Sequence, residues 1–516
     1  MDIVGQRTLR DLLLEREARQ GDKVFLVFVA RDGRQEQLTY TEFADRVRAT
    51  AAGLARLGVG KADKVVVQLG NCPEFLFCWF GLAWLGAVLV PSNTANTEGE
   101  LRHLAEYSEA IAIVTSPSYR ELADQAVPPA VRHRILVGGS EPGWIQFGQL
   151  AVRADPPLPP VAPLDLAELL FTSGTTAAPK AVMLTHANCL LAGEREWRTV
   201  GIDSYDRSLT ALQAFHVNAQ TVTILSALTA GATVILVEEY SASRFWGQVR
   251  QTGATTLALV GMQLRTLLAQ PPAQTDTLHS VRRVMYALNV SEREKAEFET
   301  RFGVELINGY GLSEAMTIVT AAPVHGEKRW PSIGLPAIDR RVRVVTAEGN
   351  DAPPCEVGEI IVGGEPGRDL MLGYYRDPAA TADVLRGGWL HTGDNGYFDE
   401  HGYLYFFDRR KDVIKVAGEN VSAMEVEQVL YAHPAVAEAA VIGVPDPVRD
   451  EAVKAYVAGK PGAKLTAESI VEHCSARLAR FKVPTMVDIR DALPKTSIGK
   501  IEKKVLRQEP AAEVIP

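Results

Sequence analysis

Cysteine is scarce and scattered. Cys72, Cys78, Cys189, Cys355 and Cys474 are odd in number, widely spread, and form no C-x-x-C pair. That spacing suggests neither a disulfide framework nor a zinc site and fits a reduced, cytoplasmic setting. An apolar run of membrane-spanning length is missing too. The stretch Phe75 to Val90 is apolar throughout, but it falls short of a span and carries Gly81 and Gly86 before Pro91. It reads as a buried helix running into a strand, with no transmembrane segment. The start, Met1-Asp2-Ile3-Val4-Gly5-Gln6-Arg7, lacks a charged region followed by an apolar core, so no secretory signal is visible. There is no excess of positive charge: the formal net charge is −9, with acidic and basic residues interspersed. Such a surface argues against nucleic acid or an anionic membrane as the main partner. Even the densest basic cluster, Arg409-Arg410-Lys411, holds only three charges. No internal repeat is visible.

What is present is enough apolar material for more than one core. A chain of 516 residues with 47% hydrophobic content divides into two or more domains. From Lys64 to Tyr286, β-branched runs such as Lys64 to Leu69, Ile111 to Val114 and Ala232 to Val237 alternate with helix-length segments. This is the pattern of an α/β fold, with doubly wound parallel sheets covered by helices. The Pro-rich piece Pro156 to Pro160 reads as an extended connector between lobes. After Ser332 the strands become shorter and Gly-punctuated, as in Arg341 to Val345 and Gly358 to Val362, which suits a small β-barrel-like subdomain. The strand Tyr403 to Phe407 runs into the polar cluster Asp408-Arg409-Arg410-Lys411-Asp412, a natural hinge. Beyond it, Val436 to Val444, Ala452 to Ala458 and a Thr466-capped helix to about Arg480 describe a small α+β domain.

The run Leu169-Leu170-Phe171-Thr172-Ser173-Gly174-Thr175-Thr176-Ala177-Ala178-Pro179-Lys180 breaks from an apolar strand into small hydroxylated residues ending in Pro-Lys. Glycine lets backbone N–H groups turn toward an anion, the hydroxyls donate further bonds, and Lys180 adds positive charge: together, a phosphate-gripping loop. It is not the G-x-x-x-x-G-K-[ST] loop, because Pro179 stands at the second Gly position and Ala181 follows the Lys. Taken alone, such a stretch also fits a solvated turn.

Four further stretches join it: Asn308-Gly309-Tyr310-Gly311-Leu312-Ser313-Glu314; Thr392-Gly393-Asp394; Asp408-Arg409 with Lys415-Val416-Ala417-Gly418-Glu419-Asn420; and Pro494-Lys495-Thr496-Ser497-Ile498-Gly499-Lys500. Singly, Ser313-Glu314 fits a capped helix end, Thr392-Gly393-Asp394 a turn, and Lys500 a solvated surface charge. In this order and spacing, over nearly the whole chain, they resemble the adenylate-forming superfamily of acyl-CoA synthetases, peptide-synthetase adenylation domains and luciferases. That resemblance implies attack of a carboxylate on the α-phosphate of ATP, where developing charge must be held by cations and donors.

By the same resemblance, Thr172, Ser173, Gly174, Thr175, Thr176 and Lys180 grip the phosphates. Asn308, Gly309, Tyr310, Gly311 and Ser313 line the nucleotide site, with Tyr310 on the adenine. Glu314 is the ligand of a catalytic Mg²⁺, a hard cation that spends few protein ligands when phosphates supply the rest. Asp394 accepts from the ribose hydroxyls, and Arg409 reaches the ribose from the hinge side. Lys500 bridges the carboxylate and the α-phosphate during adenylation. Gly418 and Lys500 belong to a mobile domain that serves adenylation with one face and thioester formation with another, with Lys411 as the pivot. The implied domains are 1–410, holding the acyl and ATP site, and 411–516. The chain departs from the family pattern where Ala177 replaces a loop Gly, Ser313 stands for the commoner Thr, and Ser422-Ala423-Met424 replaces a stretch that often holds Pro. None of these changes removes a group the chemistry requires.

Finer details, among them Phe215-His216-Val217-Asn218-Ala219-Gln220, Tyr286-Ala287-Leu288-Asn289-Val290-Ser291, Arg329-Trp330-Pro331-Ser332-Ile333-Gly334, Val448 to Ala452 and Phe481-Lys482-Val483-Pro484, are similar to crotonobetaine/carnitine-CoA ligases and related acyl-CoA synthetases. His216 then sits between the acyl pocket and the CoA channel, although a lone histidine beside Phe215 equally fits a core residue. Phe215, Trp197, Trp246 and Tyr286 offer an aromatic wall for a trimethylammonium head; aromatics at such positions also simply pack, and a pocket without a cation site would instead favour a short or medium fatty acid. The expected partners are a small-molecule carboxylate, ATP and coenzyme A, and a homodimer is compatible with such a chain. Three rivals stay open: loading of a carrier-protein phosphopantetheine, a noncatalytic nucleotide-binding homologue, and a luciferase-like oxidation, which has no positive support.

Overall fold

The computed structural model describes residues 3–150, 155–172, 179–287, 290–409, 413–416, 419–446, 450–496 and 500–509. Two large sheets dominate the first four hundred residues. One has eight strands, in the order Gly373–Tyr374, Lys180–Thr185, Leu166–Thr172, Val88–Pro91, Lys64–Gln68, Ala112–Thr115, His133–Leu136, Ile145–Gln146. The other has nine: Leu335–Pro336, Thr317–Ala321, Glu305–Leu312, Arg283–Ala287, Thr256–Val260, Arg207–Thr210, Thr233–Val237, Val24–Val29, Gln35–Thr39. Pairing is parallel through the middle of each sheet, antiparallel toward both edges of the nine-stranded sheet and toward the Gly373–Tyr374 edge of the other, and parallel out to its Ile145–Gln146 edge. Strands such as Thr233–Val237 and Ala112–Thr115 are buried along their whole length, as parallel strands covered on both faces must be. The apolar stretch seen in the sequence folds as the helix Pro73–Leu85 followed by the strand Val88–Pro91, with Gly86 closing the helix in the left-handed conformation. Gly86 has φ +68°, where a side chain would be strained. No described helix is long and apolar enough to cross a membrane.

The Gly-punctuated region forms a five-stranded antiparallel sheet: Arg341–Val345, Gly358–Gly363, Trp389–Phe398 and Leu385–Arg386 in order, with Leu404–Arg409 also paired to Trp389–Phe398. The C-terminal residues build a further sheet of Glu419–Ser422, Val413–Val416, Asp450–Gly459 and Val436–Asp446, with Met486–Arg490 alongside Asp450–Gly459. The helix Ala423–Tyr431 packs on this sheet. Thr466 caps its helix through Ser469, but that helix ends at Ser475, short of Arg480; a separate 3-10 turn covers Arg480–Lys482 before Val483 goes extended ahead of Pro484. Against the earlier sheets, the Arg265 guanidinium lies 4.2 Å over the Tyr431 ring.

Both wide sheets carry their motif residues at the carboxyl ends of strands: Thr172 ends one strand, His216 follows another, and Tyr310 to Glu314 close a third. Open α/β sheets place ligands at that edge. The topology therefore brings segments far apart in sequence to one rim.

Candidate active site

The strand Glu305–Leu312 passes Asn308, Gly309, Tyr310 and Gly311 along the rim and turns into a single 3-10 turn, Ser313–Ala315, that presents Glu314. Gly311 must be glycine: a Cβ there would lie 2.1 Å from the Thr317 carbonyl oxygen. Immediately after the turn Met316 and Thr317 have φ of +44° and +35°, a strained conformation for residues with side chains. The buried Arg340 holds the strained backbone in place. Its Nε donates to the Ile318 carbonyl at 2.9 Å, and its guanidinium also bonds the Ala315 and Asp369 carbonyls.

Two groupings form on this frame. In the first, the Tyr310 hydroxyl donates to Asp394 Oδ2 at 2.7 Å, and the Tyr310 ring lies 5.9 Å from Phe406. Asp394 is buried and pairs in register with Arg409, whose backbone is thereby at the same place. The residues expected to meet adenine and ribose are thus neighbours, and Asn308 is fixed beside them by a bond from Nδ2 to the Ser332 carbonyl at 3.1 Å. In the second, Lys180 Nζ stands 4.7 Å over the Tyr374 ring, and the Tyr374 hydroxyl donates to Glu314 Oε1 at 3.0 Å. Thr172 opposes Lys180 across the two strands, with its hydroxyl 3.4 Å from the Lys180 carbonyl. Burial and the Glu314 carboxylate push the Tyr374 phenol well up, so it stays a donor. Tyr374 was not among the residues singled out from sequence; it lies in the two-residue strand Gly373–Tyr374, which pairs back onto Val182 and Met183.

Among the described residues, no three or more His, Cys, Asp or Glu side chains converge as a metal cage. One half-buried carboxylate next to the phosphate-loop lysine suits a hard cation that arrives on the nucleotide phosphates. Ser173, Gly174, Thr175, Thr176, Ala177, Lys411 and Gly418 lie outside the described residues. Lys500 is exposed in the C-terminal hairpin, where its N–H donates to Thr496 Oγ1 at 3.2 Å and its carbonyl accepts from the Thr496 N–H at 2.7 Å.

His216 begins a helical segment with a π-helical turn, Ala219–Leu225, and its ring packs 4.6 Å from Phe215. Burial lowers its pKa to about 4, so the imidazole is neutral at physiological pH. The aromatic wall does not form as one surface. Trp246 stacks on Phe302 at 4.5 Å and on His279 at 4.7 Å, and together with Tyr286 it belongs to one apolar cluster, whereas Phe215 and Trp197 pack in another. Strand alternation is the reason: Met285 and Tyr286 are consecutive in Arg283–Ala287, so they point to opposite faces of the sheet.

Two carboxylic acids are wholly buried beside the π-helical turn. Glu168 accepts from Gln220 Nε2 at 2.9 Å; Glu196 accepts from the Thr317 hydroxyl at 3.2 Å, and Thr317 in turn meets Thr221. Burial raises each to about 7. A carboxyl raised on folding keeps its proton more tightly in the native state. The stability it contributes is therefore present at low pH and lost as pH rises from the ordinary 4.5 to about 7. His186 and His216, both lowered by burial to about 4, act in the opposite sense and lose stability as pH falls from 6.5. Replacing Glu196 by Gln removes one carboxyl from this balance. The stability of the variant relative to the parent should then climb by about 1.4 kcal/mol per pH unit between pH 4.5 and 7. Denaturant titrations across that interval measure it, and parallel profiles would mean Glu196 does not change protonation on folding.

Motif residues gathered on the rim of two doubly wound sheets, followed by a small C-terminal domain, have the architecture of an adenylate-forming enzyme. Residues 13–375 match the family model described as AMP-binding enzyme, and residues 425–500 match the AMP-binding enzyme C-terminal domain. The chain belongs to the AMP-binding enzyme family. Curated relatives include the crotonobetaine/carnitine–CoA ligases of Salmonella enteritidis PT4 and Salmonella typhimurium, each 40% identical over 98% of this chain and 100% of the relative. Among solved structures, ATP-bound MatB from Rhodopseudomonas palustris is 26% identical with a TM-score of 0.87, covering 97% of this chain and 99% of its own. The anthranilate CoA ligase AuaEII in complex with anthranoyl-AMP shares the fold, with a TM-score of 0.88 over 97% of both chains at 24% identity.

Proposed function

We propose that the protein is an ATP-dependent acid:CoA ligase acting on a small betaine-type carboxylate of the crotonobetaine or carnitine kind, with Mg²⁺ accompanying the nucleotide. The observation that carries the reaction class is the convergence of Lys180, Tyr374 and Glu314 next to the Tyr310–Asp394 pair. One group meets phosphate charge, the other the nucleoside. A substrate carboxylate oxygen attacks the α-phosphorus, the bond to the β-phosphate oxygen breaks, and pyrophosphate leaves. The CoA thiol then loses its proton and attacks the acyl carbonyl; the carbon–oxygen bond to phosphate breaks and AMP leaves. The cation would supply charge neutralisation on the phosphates, held on the protein side by Glu314.

In this reading Lys500 bridges the carboxylate and the α-phosphate, and Asp394 with Arg409 holds the ribose. The neutral His216 stands between acid and thiol. The C-terminal domain, 411–516, turns about Lys411 between the two half-reactions. The substrate class is supported by the 40% identity to crotonobetaine/carnitine–CoA ligases over 98% of the chain. The five unpaired cysteines agree with a reducing cytoplasm.

Purified protein with Mg-ATP and CoA should release AMP and form the thioester with crotonobetaine, carnitine or γ-butyrobetaine in preference to straight-chain acids. Turnover confined to straight-chain acids would replace the substrate class. Pyrophosphate exchange without CoA turnover would point to a carrier-protein acceptor, and no AMP from any acid would overturn the ligase.

A further inference from the structure

Buried polar atoms without a hydrogen-bond partner occur at several places among the described residues, and one segment with the strand beside it carries four of them. Among the described residues these include His216 Nε2, Asn218 Oδ1, Gln220 Oε1 and Glu168 Oε2. Folding alone leaves the desolvation of such atoms uncompensated, and native proteins keep few of them. Their carrier is the run from His216 into the π-helical turn Ala219–Leu225. A π-turn is rare and concentrates at functional sites.

Three of these four atoms are side-chain oxygens. Gln220 is fully buried, and its amide is oriented by donation from Nε2 to Glu168 Oε1 at 2.9 Å. That orientation leaves the Gln220 carbonyl oxygen without a hydrogen-bond partner. Asn218 contributes a second bare carbonyl oxygen, and Glu168 a bare carboxylate oxygen. No cationic side chain among the described residues pairs with Glu168; the influences on it are burial and Gln220. The titratable neighbour is Cys189 from the helix His186–Val200, whose thiol is pushed up by burial and by Glu168 itself. A fully buried carboxyl without a counter-charge, flanked by bare acceptors, is an arrangement that a positive ligand completes.

Its place suits the acid. Glu168 lies in the strand Leu166–Thr172 that leads to the phosphate loop, and Gln220 stands one helical turn from His216, donating its N–H to the His216 carbonyl at 3.3 Å. Trp246 and Tyr286, the aromatic alternatives, face a different core cluster.

We infer that Glu168, set by Gln220, is the counter-charge for a cationic substituent on the acid and so determines which acids the ligase accepts. This rests on the reading of the protein as an acid:CoA ligase and adds the residues that select its substrate.

The test compares kcat/KM, by AMP release, for γ-trimethylammonio-butanoate and for 5,5-dimethylhexanoate, its neutral isostere with carbon in place of nitrogen. The parent protein should prefer the cation by at least about tenfold, the scale of a desolvated charge contact. Glu168→Gln, which keeps shape, should reduce that ratio at least about tenfold, and Gln220→Met should reduce it in the same direction because the carboxyl loses its orienting donor. An unchanged ratio in folded Glu168→Gln protein would give Glu168 a packing role only and overturn the inference. If that variant does not fold, the parent's own ratio decides, since no preference for the cation overturns it equally. CoA-dependent turnover of neutral acids without cation preference would sink this inference alone, whereas absence of AMP from every acid would sink the ligase reading.

Discussion

Replacing Lys500 by alanine is expected to slow acyl-adenylate formation by about a hundred- to a thousandfold, the cost typical of deleting one preorganised charge from a transition state. Transfer of the acyl group from preformed adenylate to CoA should change only a few-fold. The asymmetry follows from where the lysine sits. Its N–H donates to the Thr496 hydroxyl and its carbonyl accepts from the Thr496 N–H, Lys495 is bridged to Ile501, and the residue is exposed. An exposed lysine stabilises a fold little, and thermal stability of the variant should match the parent. In the proposed cycle the C-terminal domain brings this charge to the site only when it docks for adenylation. Single-turnover measurements separate the two steps: pyrophosphate release from Mg-ATP and acid reports the first, thioester formation from synthetic adenylate the second. Equal losses in both steps would make Lys500 a general binding residue rather than the bridge of the first step.

The parts of this site legible in the sequence are those where chemistry dictates residue type within one short stretch. The alternation of β-branched runs and helix-length segments announced the parallel sheets, and the run from Leu169 to Lys180 announced a strand breaking into a polar stretch, of which the strand ending at Thr172 and the one starting at Lys180 are described. Tyr310 and Asp394, read separately as nucleotide contacts, meet at 2.7 Å. What escaped the sequence depends on which face a residue takes or on long-range pairing. Tyr374 reaches Glu314 only because Gly373–Tyr374 adds to the edge of a strand nearly two hundred positions earlier. Trp246 and Tyr286 looked suited to a ligand wall, yet the parity of one strand and the packing of Phe298 and Phe302 place them in a core. Glu168 did leave a trace: an acidic residue inside an otherwise apolar strand is a conflict between local pattern and burial, and such conflicts mark functional sites. Arg340 left none, since its three carbonyl partners are assembled only by the fold.

Glu314→Gln should cost about a hundredfold or more in adenylation at saturating ATP, because the substitution keeps the shape and removes the charge proposed to meet the cation. Gln still accepts from the Tyr374 hydroxyl, so the local hydrogen bond seen at 3.0 Å persists. The backbone also holds: the Glu314 carbonyl accepts from the Met371 N–H at 2.8 Å, and Arg340 braces the carbonyls of Ala315 and Ile318 behind the turn. Loss of activity in this variant therefore reports charge rather than collapse of the turn. Two controls sharpen the assignment. Tyr374→Phe, which removes the donor and keeps the ring beneath Lys180 Nζ, should cost far less, about tenfold at most, because one neutral-donor bond to a carboxylate is worth about 1.5–3 kcal/mol and part of it is replaced by water. Titrating free Mg²⁺ at fixed ATP should then shift the half-saturating concentration upward in Glu314→Gln and leave it unmoved in Tyr374→Phe. If the two variants lose activity equally with no shift in Mg²⁺ dependence, Glu314 acts through its hydrogen bond to Tyr374, and the cation is held by the phosphates without it.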